Sequence, residues 1–271
     1  WRIHDSAKTM RVALVVSEEM SDAAFADNEK DAIAAVDAYG ALIGSVAERR
    51  PDLIVLPERI AMLRPQWRAL ALKKMADAAK VAHATVVAGF ADITPTERRN
   101  VALIFRPDSS APQTYVKRKL VPGLEHDFTP GAASLVLADG IGIEICKDMD
   151  FPRMLRADSA LHPRVLAVPA LDFEEDAYGH ARVAIMRGIE NGVAIARSAR
   201  KGLLTLSDPY GRVVNRRASM GDATMTLVGD LPVGDGAGHT LYSRIGDVFA
   251  WMALALGPGL LGLALVRRKQ T

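Results

Sequence analysis

Residues 141–151 read IGIEICKDMDF, an apolar run that ends at the single cysteine of the 271-residue chain. Apolar runs of four to eight residues are typical of a buried strand, so a strand over 141–145 delivers Cys146 at its end. The ends of rigid elements are where catalytic side chains gather in layered folds. A lone cysteine is more often a small buried hydrophobe, so this position alone does not decide the function.

Seven further apolar runs bounded by turn residues predict buried strands, at 12–16, 53–56, 85–89, 101–105, 165–168, 193–196 and 203–206. Helical periodicity predicts helices over 31–49, 66–82 and 177–190. DPYG at 208–211 is a turn signal, which we assign to the tip of a hairpin. Strands interleaved with amphipathic helices indicate an α/β or α+β class in which helices cover the sheets.

The composition excludes several function classes. Three of the 34 basic residues lie in RRK at 267–269, which leaves 31 basic against 32 acidic residues elsewhere and no basic surplus for a nucleic-acid partner. The six histidines form no HxxxH or HExxH pair, so we expect no metal site. No Walker loop appears in the sequence, and GxGxxG occurs only as GPGLLG at 257–262, inside the C-terminal apolar run, so we expect no nucleotide and no other cofactor.

The C-terminal stretch 248–266 is an uncharged run of 19 residues followed by RRKQT. A helix of that length just crosses a hydrocarbon core of about 30 Å. The alternative is a buried core helix, which GPG at 257–259 favours. The basic residues beyond the run predict a cytoplasmic C-terminus, with everything before the span outside. Because the chain begins at Trp1 and no signal peptide precedes it, we expect a fragment whose upstream export or membrane segments are missing.

Two other apolar runs deliver ionisable groups at their ends. LPE at 56–58 places Glu58 after a strand, and YVKRK at 115–119 places Lys117 and Lys119 in alternation. A cysteine nucleophile needs a base and oxyanion donors, and Glu58 suits the base if burial raises its pKa towards neutrality. The alternatives are an exposed turn glutamate and an edge strand with solvated lysines. The acidic residues at 172, 174, 175 and 176 predict a solvated loop.

LPE at 56–58, YVKRKLVP at 115–122 and ICKD at 145–148 resemble, in order and spacing, the Glu, Lys and Cys motifs of the nitrilase (carbon–nitrogen hydrolase) superfamily. The resemblance covers roughly residues 10–230. It implies an α+β fold, a nitrilase-type four-layer α-β-β-α sandwich. It also implies Glu58 as general base, Lys117 as oxyanion-stabilising cation and Cys146 as nucleophile. Lys117 is preferred to Lys119 because it lies two residues after Tyr115, as in the family motif.

The resemblance is closer to the apolipoprotein N-acyltransferase branch. Glu125, eight residues after Lys117, is similar to the branch's accessory glutamate, and TLYSRIGD at 240–247 is similar to its exit into the last membrane helix. The implied organisation is a catalytic domain over 1–244, a transmembrane helix over 245–267 and a cytoplasmic basic tail over 268–271. The implied location is the bacterial inner membrane, with the catalytic domain in the periplasm. Lys147 and Asp148 join Glu125 as accessory or substrate-binding residues.

Three segments depart from that branch. CKD replaces Cys-Tyr-Glu, LPE replaces Trp-Pro-Glu, and PALDF at 169–173 replaces Asn-Asp-Ala-Trp-Phe. The resemblance implies a membrane-anchored acyltransferase that carries a phospholipid acyl chain to a lipoprotein's N-terminal amine through a cysteine thioester. The departures favour instead a periplasmic amidase for small C–N substrates, and an inactive membrane-tethered binding domain is a third alternative. The oligomeric state stays open.

Overall fold

The structure is a computed structural model. It describes residues 8–20, 22, 25–109, 111–221, 224–236 and 240–268, without the side chains of 260–268. Two β-sheets dominate this part of the chain.

The first sheet contains seven of the described strands, most of which come from the N-terminal half. They are β1 (Lys8–Ser17), β2 (Leu53–Val55), β3 (Met62–Leu63), β4 (Thr85–Ile93), β5 (Arg98–Phe105), β6 (Gln113–Val116) and β13 (Thr224–Val233). Their order is β13-β1-β2-β4-β5-β6, with β3 paired to β4. β1, β2 and β4 run parallel, whereas β5, β6 and β13 are antiparallel to their neighbours.

The second sheet contains six described strands. They are β7 (Leu135–Val136), β8 (Ile141–Ile143), β9 (Val165–Leu171), β10 (Ala194–Arg200), β11 (Leu203–Ser207) and β12 (Val213–Ala218), in the order β12-β11-β10-β9-β8-β7. β8, β9 and β10 are parallel, so their carboxyl ends meet at one edge. β11 and β12 form an antiparallel hairpin whose connection holds the DPYG turn, as predicted.

Helices cover the outer face of each sheet. α1 (Glu29–Ala47) and α2 (Pro65–Ala82) pack on the first sheet, and α3 (Pro152–Asp158) and α4 (Ala177–Asn191) pack on the second. The alternate faces of β1 show the arrangement: Ala13 and Val15 pack against the helices, whereas Val12 and Leu14 face the second sheet. The predicted four-layer α-β-β-α sandwich is confirmed, and each of the eight predicted strands coincides with an observed one.

The C-terminal part leaves the sandwich through α5 (Leu241–Ile245) and α6 (Val248–Arg268). Thr240 caps α5 by accepting a hydrogen bond from the Ser243 amide. Among the helices formed by described residues, none is both long enough and apolar enough to cross a membrane. The membrane span predicted for 245–267 is therefore not confirmed, and part of it (the side chains of 260–267) lies outside the described residues. The tail beyond Arg268 also lies outside them, and the boundary at 244 stays a prediction.

A buried polar cluster joins the two sheets next to the cysteine. The Tyr115 hydroxyl, from β6 of the first sheet, lies 2.9 Å from Glu144 Oε2 and 2.8 Å from Asp148 Oδ2. Arg118 Nε donates to the same hydroxyl at 3.0 Å, and Arg118 Nη2 donates to Glu144 Oε1 at 2.7 Å and to Asp158. Glu144 and Asp158 therefore share one guanidinium in a buried space, and Asp148 joins them through the tyrosine hydroxyl.

Counting hydrogens in this cluster places a proton on one carboxyl group. The Tyr115 hydroxyl has one hydrogen to donate, yet two carboxyl oxygens lie within bonding distance. One of those carboxyls must be protonated and donate to the tyrosine oxygen. Burial, together with the charge of Asp148, raises the pKa of Glu144 well above its usual range. The pKa of Asp148 is raised by burial as well, but its carboxylate also accepts from the Ile145 and Lys119 amides, so we assign the proton to Glu144.

We predict that this proton makes stability fall as pH rises. The folded-state pKa of Glu144 is raised above its unfolded-state pKa of about 4.3. The contribution of Glu144 to the free energy of unfolding is therefore complete below about pH 4.3 and is lost as pH rises through the folded-state pKa. Glu144→Gln keeps the hydrogen-bond pattern and should flatten this loss. Glu144→Ala leaves Arg118 paired with Asp158 but removes buried hydrogen-bond partners of Arg118 Nη2 and Tyr115, and it should cost about 1–3 kcal/mol.

The measurement is the free energy of unfolding by urea from about pH 5 to about pH 9. The exposed Glu174→Gln is the matched control and should follow the parent chain. Parallel curves for the parent and Glu144→Gln would show that Glu144 is ionised in the folded protein.

Candidate active site

Glu58 lies in the turn after β2, at the carboxyl edge of the parallel strands, with its side chain buried. Its Oε1 accepts hydrogen bonds from Lys117 Nζ at 2.7 Å and from Asn100 Nδ2 at 2.7 Å. Its Oε2 accepts from the Leu171 amide at 3.1 Å, on the second sheet. The carboxylate is thus fixed by groups from both sheets.

A glycine makes this turn possible. A Cβ on Gly89 of β4 would lie 2.6 Å from Glu58 Cα and 2.6 Å from the Pro57 carbonyl oxygen. Such contacts are far closer than side chains tolerate, so only glycine lets the Glu58 turn rest on β4.

Lys117 follows β6 and is 1% exposed. Its ammonium donates to Glu58 Oε1 at 2.7 Å and to Glu125 Oε2 at 2.8 Å. These two bonds use two of its three hydrogens, which leaves one for a further acceptor. Asn100 Nδ2 donates to Glu58 and also to Glu125 Oε1, the latter at 2.6 Å. Glu125 Oε2 accepts a further hydrogen bond from the Val121 amide at 2.7 Å. The structure therefore brings Glu125 into contact with the lysine.

Cys146 begins a 3-10 helix, Cys146–Asp150, directly after the loop that ends β8. Its φ of 40° lies in the left-handed region, which costs a non-glycine residue of order 1–3 kcal/mol and is common at active sites. Its Sγ lies 3.5 Å from the Leu171 carbonyl oxygen, while the Leu171 amide donates to Glu58. One peptide segment of β9 thus contacts both Cys146 and Glu58, and Cys146 remains partly exposed.

The protonation states follow from these neighbours. Burial raises the pKa of Glu58, but the charge of Lys117 and the hydrogen bonds from Lys117 and Asn100 outweigh burial and lower it overall. The condition set for Glu58, a pKa raised towards neutrality by burial, is not met, because the lysine and asparagine contacts outweigh burial. Burial and the negative charge of Glu58 raise the pKa of the Cys146 thiol, and Lys117 offsets only part of this. At neutral pH the site holds a carboxylate beside a protonated thiol.

Asp148 joins the cysteine turn to the lysine segment. Its buried carboxylate accepts from the Ile145 amide at 3.0 Å and from the Lys119 amide at 2.8 Å. The Lys147 side chain instead pairs with Asp150 at 2.7 Å and is about one-third exposed. Asp148 therefore ties the Cys146 turn to the Lys117 segment, and accessory roles for both Asp148 and Lys147 stay predictions.

Sequence reasoning missed a buried ion pair near the cysteine. Arg197 on β10 donates to both carboxylate oxygens of Asp172, at 2.5 and 2.9 Å, and both side chains are buried. The expectation of a solvated loop was therefore wrong for Asp172, although 174–176 are exposed. The sequence did carry a signal for this pair, because Arg197 is a charged residue inside the apolar strand β10. The contacts of Asn100 with Glu58 and Glu125 were also missed, since its place at the polar start of β5 gave no signal.

Comparison with known proteins agrees with this geometry. The family model described as carbon-nitrogen hydrolase matches residues 6–235. An apolipoprotein N-acyltransferase of Geobacter metallireducens is 32% identical over 162 residues, which cover 56% of this chain and 29% of that protein. Its counterpart from Azotobacter vinelandii is 25% identical over 252 residues, covering 80% of this chain and 46% of that protein. The chain spans less than half the length of these curated relatives.

Solved structures show the same fold. An amidase from Nesterenkonia sp. superposes with a TM-score of 0.68 at 20% identity, covering 85% of this chain and 93% of the amidase. One structure of a mutant of that amidase shows the acetamide moiety of fluoroacetamide covalently added at its active-site cysteine. The family match covers most of the chain and includes the Glu58, Lys117 and Cys146 segments. This chain belongs to the carbon–nitrogen hydrolase family of enzymes.

Proposed function

We propose that this chain transfers an acyl chain from a phospholipid to the N-terminal amine of a lipoprotein, through a thioester on Cys146. The curated relatives described above support the substrates, and the contacts of Glu58 and Lys117 support the chemistry. The proposal keeps Glu58 as base, Lys117 as oxyanion-stabilising cation and Cys146 as nucleophile.

In the first half-reaction, Glu58 takes the thiol proton as Cys146 Sγ attacks the ester carbonyl carbon of the donor. Because the thiol pKa is raised and the Glu58 pKa is lowered, proton transfer must accompany formation of the C–S bond. The free hydrogen of Lys117 and the first-turn amides of the Cys146–Asp150 helix stabilise the oxyanion. The C–O bond then breaks, and Glu58 returns the proton to the departing lysophospholipid oxygen.

In the second half-reaction, the acceptor amine attacks the thioester carbonyl. Glu58 takes a proton from the amine as the C–N bond forms, and the tetrahedral intermediate again rests against Lys117. The C–S bond breaks, Glu58 protonates the leaving sulfur, and the amide product departs. Each atom and proton is returned, so the cycle needs no cofactor.

The observation that carries the lipid proposal is an exposed apolar helix, α6, that is linked to the Cys146 segment through α5 and α3. The Cys146–Asp150 helix leads directly into α3, whose Arg156 donates to the Ser243 carbonyl at 3.0 Å and to the Arg244 carbonyl at 2.9 Å in α5. α6 follows α5, and its side chains at Phe249 and Leu254 are 82% and 66% exposed. Such a helix suits contact with lipid acyl chains.

The proposal includes the location implied by the sequence. We place α6 in the bacterial inner membrane, the catalytic sandwich on its periplasmic side and the basic residues at 267–269 in the cytoplasm. An active site held at the bilayer surface meets a donor that does not leave the membrane readily.

An amidase acting on small amides is the second candidate. LPE at 56–58 and CKD at 146–148 differ from the acyltransferase motifs, and the solved amidase shares this fold. In that reaction water rather than an amine attacks the thioester, with the same roles for Glu58, Lys117 and Cys146.

Mass spectrometry of Cys146 should distinguish the candidates. We expect that incubation with phospholipid vesicles, without acceptor, adds one acyl chain to the Cys146 peptide and releases lysophospholipid. The Cys146→Ala variant should show neither product. Ammonia release from acetamide or butyramide without a lipid adduct would support the amidase instead. Inertness towards both donors would support a binding domain.

The two lysines should differ sharply in a second experiment. Lys117→Ala removes the oxyanion cation and should lower turnover at least about 100-fold. Lys119→Ala should stay close to the parent, because the Lys119 side chain lies over the Phe151 ring at 4.8 Å and its contact with Asp148 uses the backbone amide.

Turnover and melting temperature should be measured together for both variants. A folded Lys117→Ala variant with ordinary turnover, or loss of turnover in Lys119→Ala alone, would show that the lysine assignment is wrong.

A further inference from the structure

Arg200, the last residue of β10, is fully buried with unmet hydrogen-bonding capacity. Within the described part of the chain, its Nε, Nη1 and Nη2 all lack a hydrogen-bond partner. Buried polar groups are normally paired, and a buried charge without an ionic partner is costly. Burial accordingly lowers the pKa of Arg200. The guanidinium thus carries donors for which the described protein atoms supply no acceptor.

Arg59 lies beside it and directly follows the base Glu58. Its φ of 52° is in the left-handed region, and its buried Nε has no hydrogen-bond partner among the described residues. The Arg59 guanidinium lies 5.1 Å from the centroids of both the Phe25 and Phe128 rings, and that of Arg200 lies 6.0 Å from Phe25. The positive charge of Arg59 also lowers the pKa of Arg200, so the two cations are close enough to repel each other.

The nearby carboxylates do not relieve this repulsion fully. Glu58 accepts its hydrogen bonds from Lys117, Asn100 and the Leu171 amide. Glu18 raises the pKa of Arg200, but its Oε1 accepts from the Lys201 amide at 2.6 Å. The hydrogens of Arg200 therefore remain available for an incoming oxyanion.

The two cations border the catalytic residues. The Arg200 carbonyl oxygen accepts from the Asp172 amide at 2.9 Å, and the preceding residue, Leu171, contacts both Glu58 and Cys146. Arg59 is bonded to Glu58 through the chain. An anion held by these guanidiniums would lie beside the base and on the same edge as the nucleophile.

We infer that Arg59 and Arg200 bind the phosphodiester of the acyl donor, an inference that rests on the proposed function. Arginine forks match phosphate oxygens in two parallel hydrogen bonds, and Arg200 offers unpaired donors for that geometry. A glycerol unit separates this phosphate from the ester that Cys146 attacks. The site thereby selects charged phospholipids over neutral diacylglycerol and orients the ester carbonyl towards the thiol.

Binding should be measured in the Cys146→Ala background, where no turnover occurs. The probe is a short-chain phosphatidylglycerol below its micelle concentration, titrated calorimetrically. Adding Arg200→Gln should weaken binding at least about tenfold, which equals about 1.4 kcal/mol. The control Arg217→Gln removes an exposed positive charge on β12 and should bind like the background. The site would be overturned if Arg200→Gln and Arg217→Gln bound the lipid with equal affinity, weakened or not. It would also be overturned if the Cys146→Ala background did not bind the lipid.

Inorganic phosphate provides a readout independent of lipid. It should raise the melting temperature of the background protein, by mass action, and not that of Arg200→Gln. If phosphate binds but phosphatidylglycerol does not, the anion is a free phosphate and the lipid assignment is overturned. If Arg200→Gln does not fold, Arg200→Lys replaces it: weaker binding supports a fork-specific site, and unchanged binding overturns it.

Acylation of Cys146 in the otherwise unchanged chain separates this inference from the proposed function. We expect Arg200→Gln to slow acylation by phosphatidylglycerol at least about tenfold and to leave the slower acylation by diacylglycerol unchanged. If phosphatidylglycerol and diacylglycerol acylate Cys146 at equal rates, both in the parent and in Arg200→Gln, the acyltransferase proposal stands and the anion site is overturned. Arg200-dependent binding without acylation by either donor would overturn the acyltransferase instead.

Discussion

The active site depends on one buried ammonium group that is shared by two buried carboxylates. Lys117 lies between Glu58 and Glu125 at 2.7 and 2.8 Å, and Asn100 donates to both carboxylates. Removing Lys117 would leave both carboxylates buried without a cation, and removing either carboxylate would take away one of the two acceptors that hold the ammonium, so the network holds its members in one geometry. The Glu58 turn, the start of β5 and the segment after β6 are all tied to that geometry.

The nucleophile is tied to the same network through the second sheet. The Leu171 amide holds Glu58 while its carbonyl oxygen lies against Cys146, and Asp148 binds backbone amides of both the cysteine turn and the lysine segment. With the proton assigned to Glu144, the carboxyl groups of Glu144, Asp148 and Asp158 can lie close together beside this junction with less electrostatic repulsion. The strained φ of Cys146 is therefore maintained by contacts from two sheets that meet at one edge.

The sequence predicted those features that local patterns carry. Apolar runs located eight strands, and motif spacing located Glu58, Lys117 and Cys146, because each follows a strand or its turn. Short strands such as β3 and β7 were missed, since two residues carry no periodicity. The lowered pKa of Glu58 and the burial of Asp172 were also missed. Both depend on partners 59 and 25 residues away in the chain, which no local pattern specifies.

Charge also distinguishes the two sides of the site. On one side the charge of Lys117 is balanced by Glu58 and Glu125, although one of its hydrogens stays free, and the charge of Arg197 is balanced by Asp172. On the other side Arg59 and Arg200 are close together with unpaired donors. A donor that carries its own negative charge gains most by occupying the second side, because it neutralises a repulsion that the folded chain retains. In the proposed reaction this attraction would act on the phosphodiester of the donor and on no neutral amide.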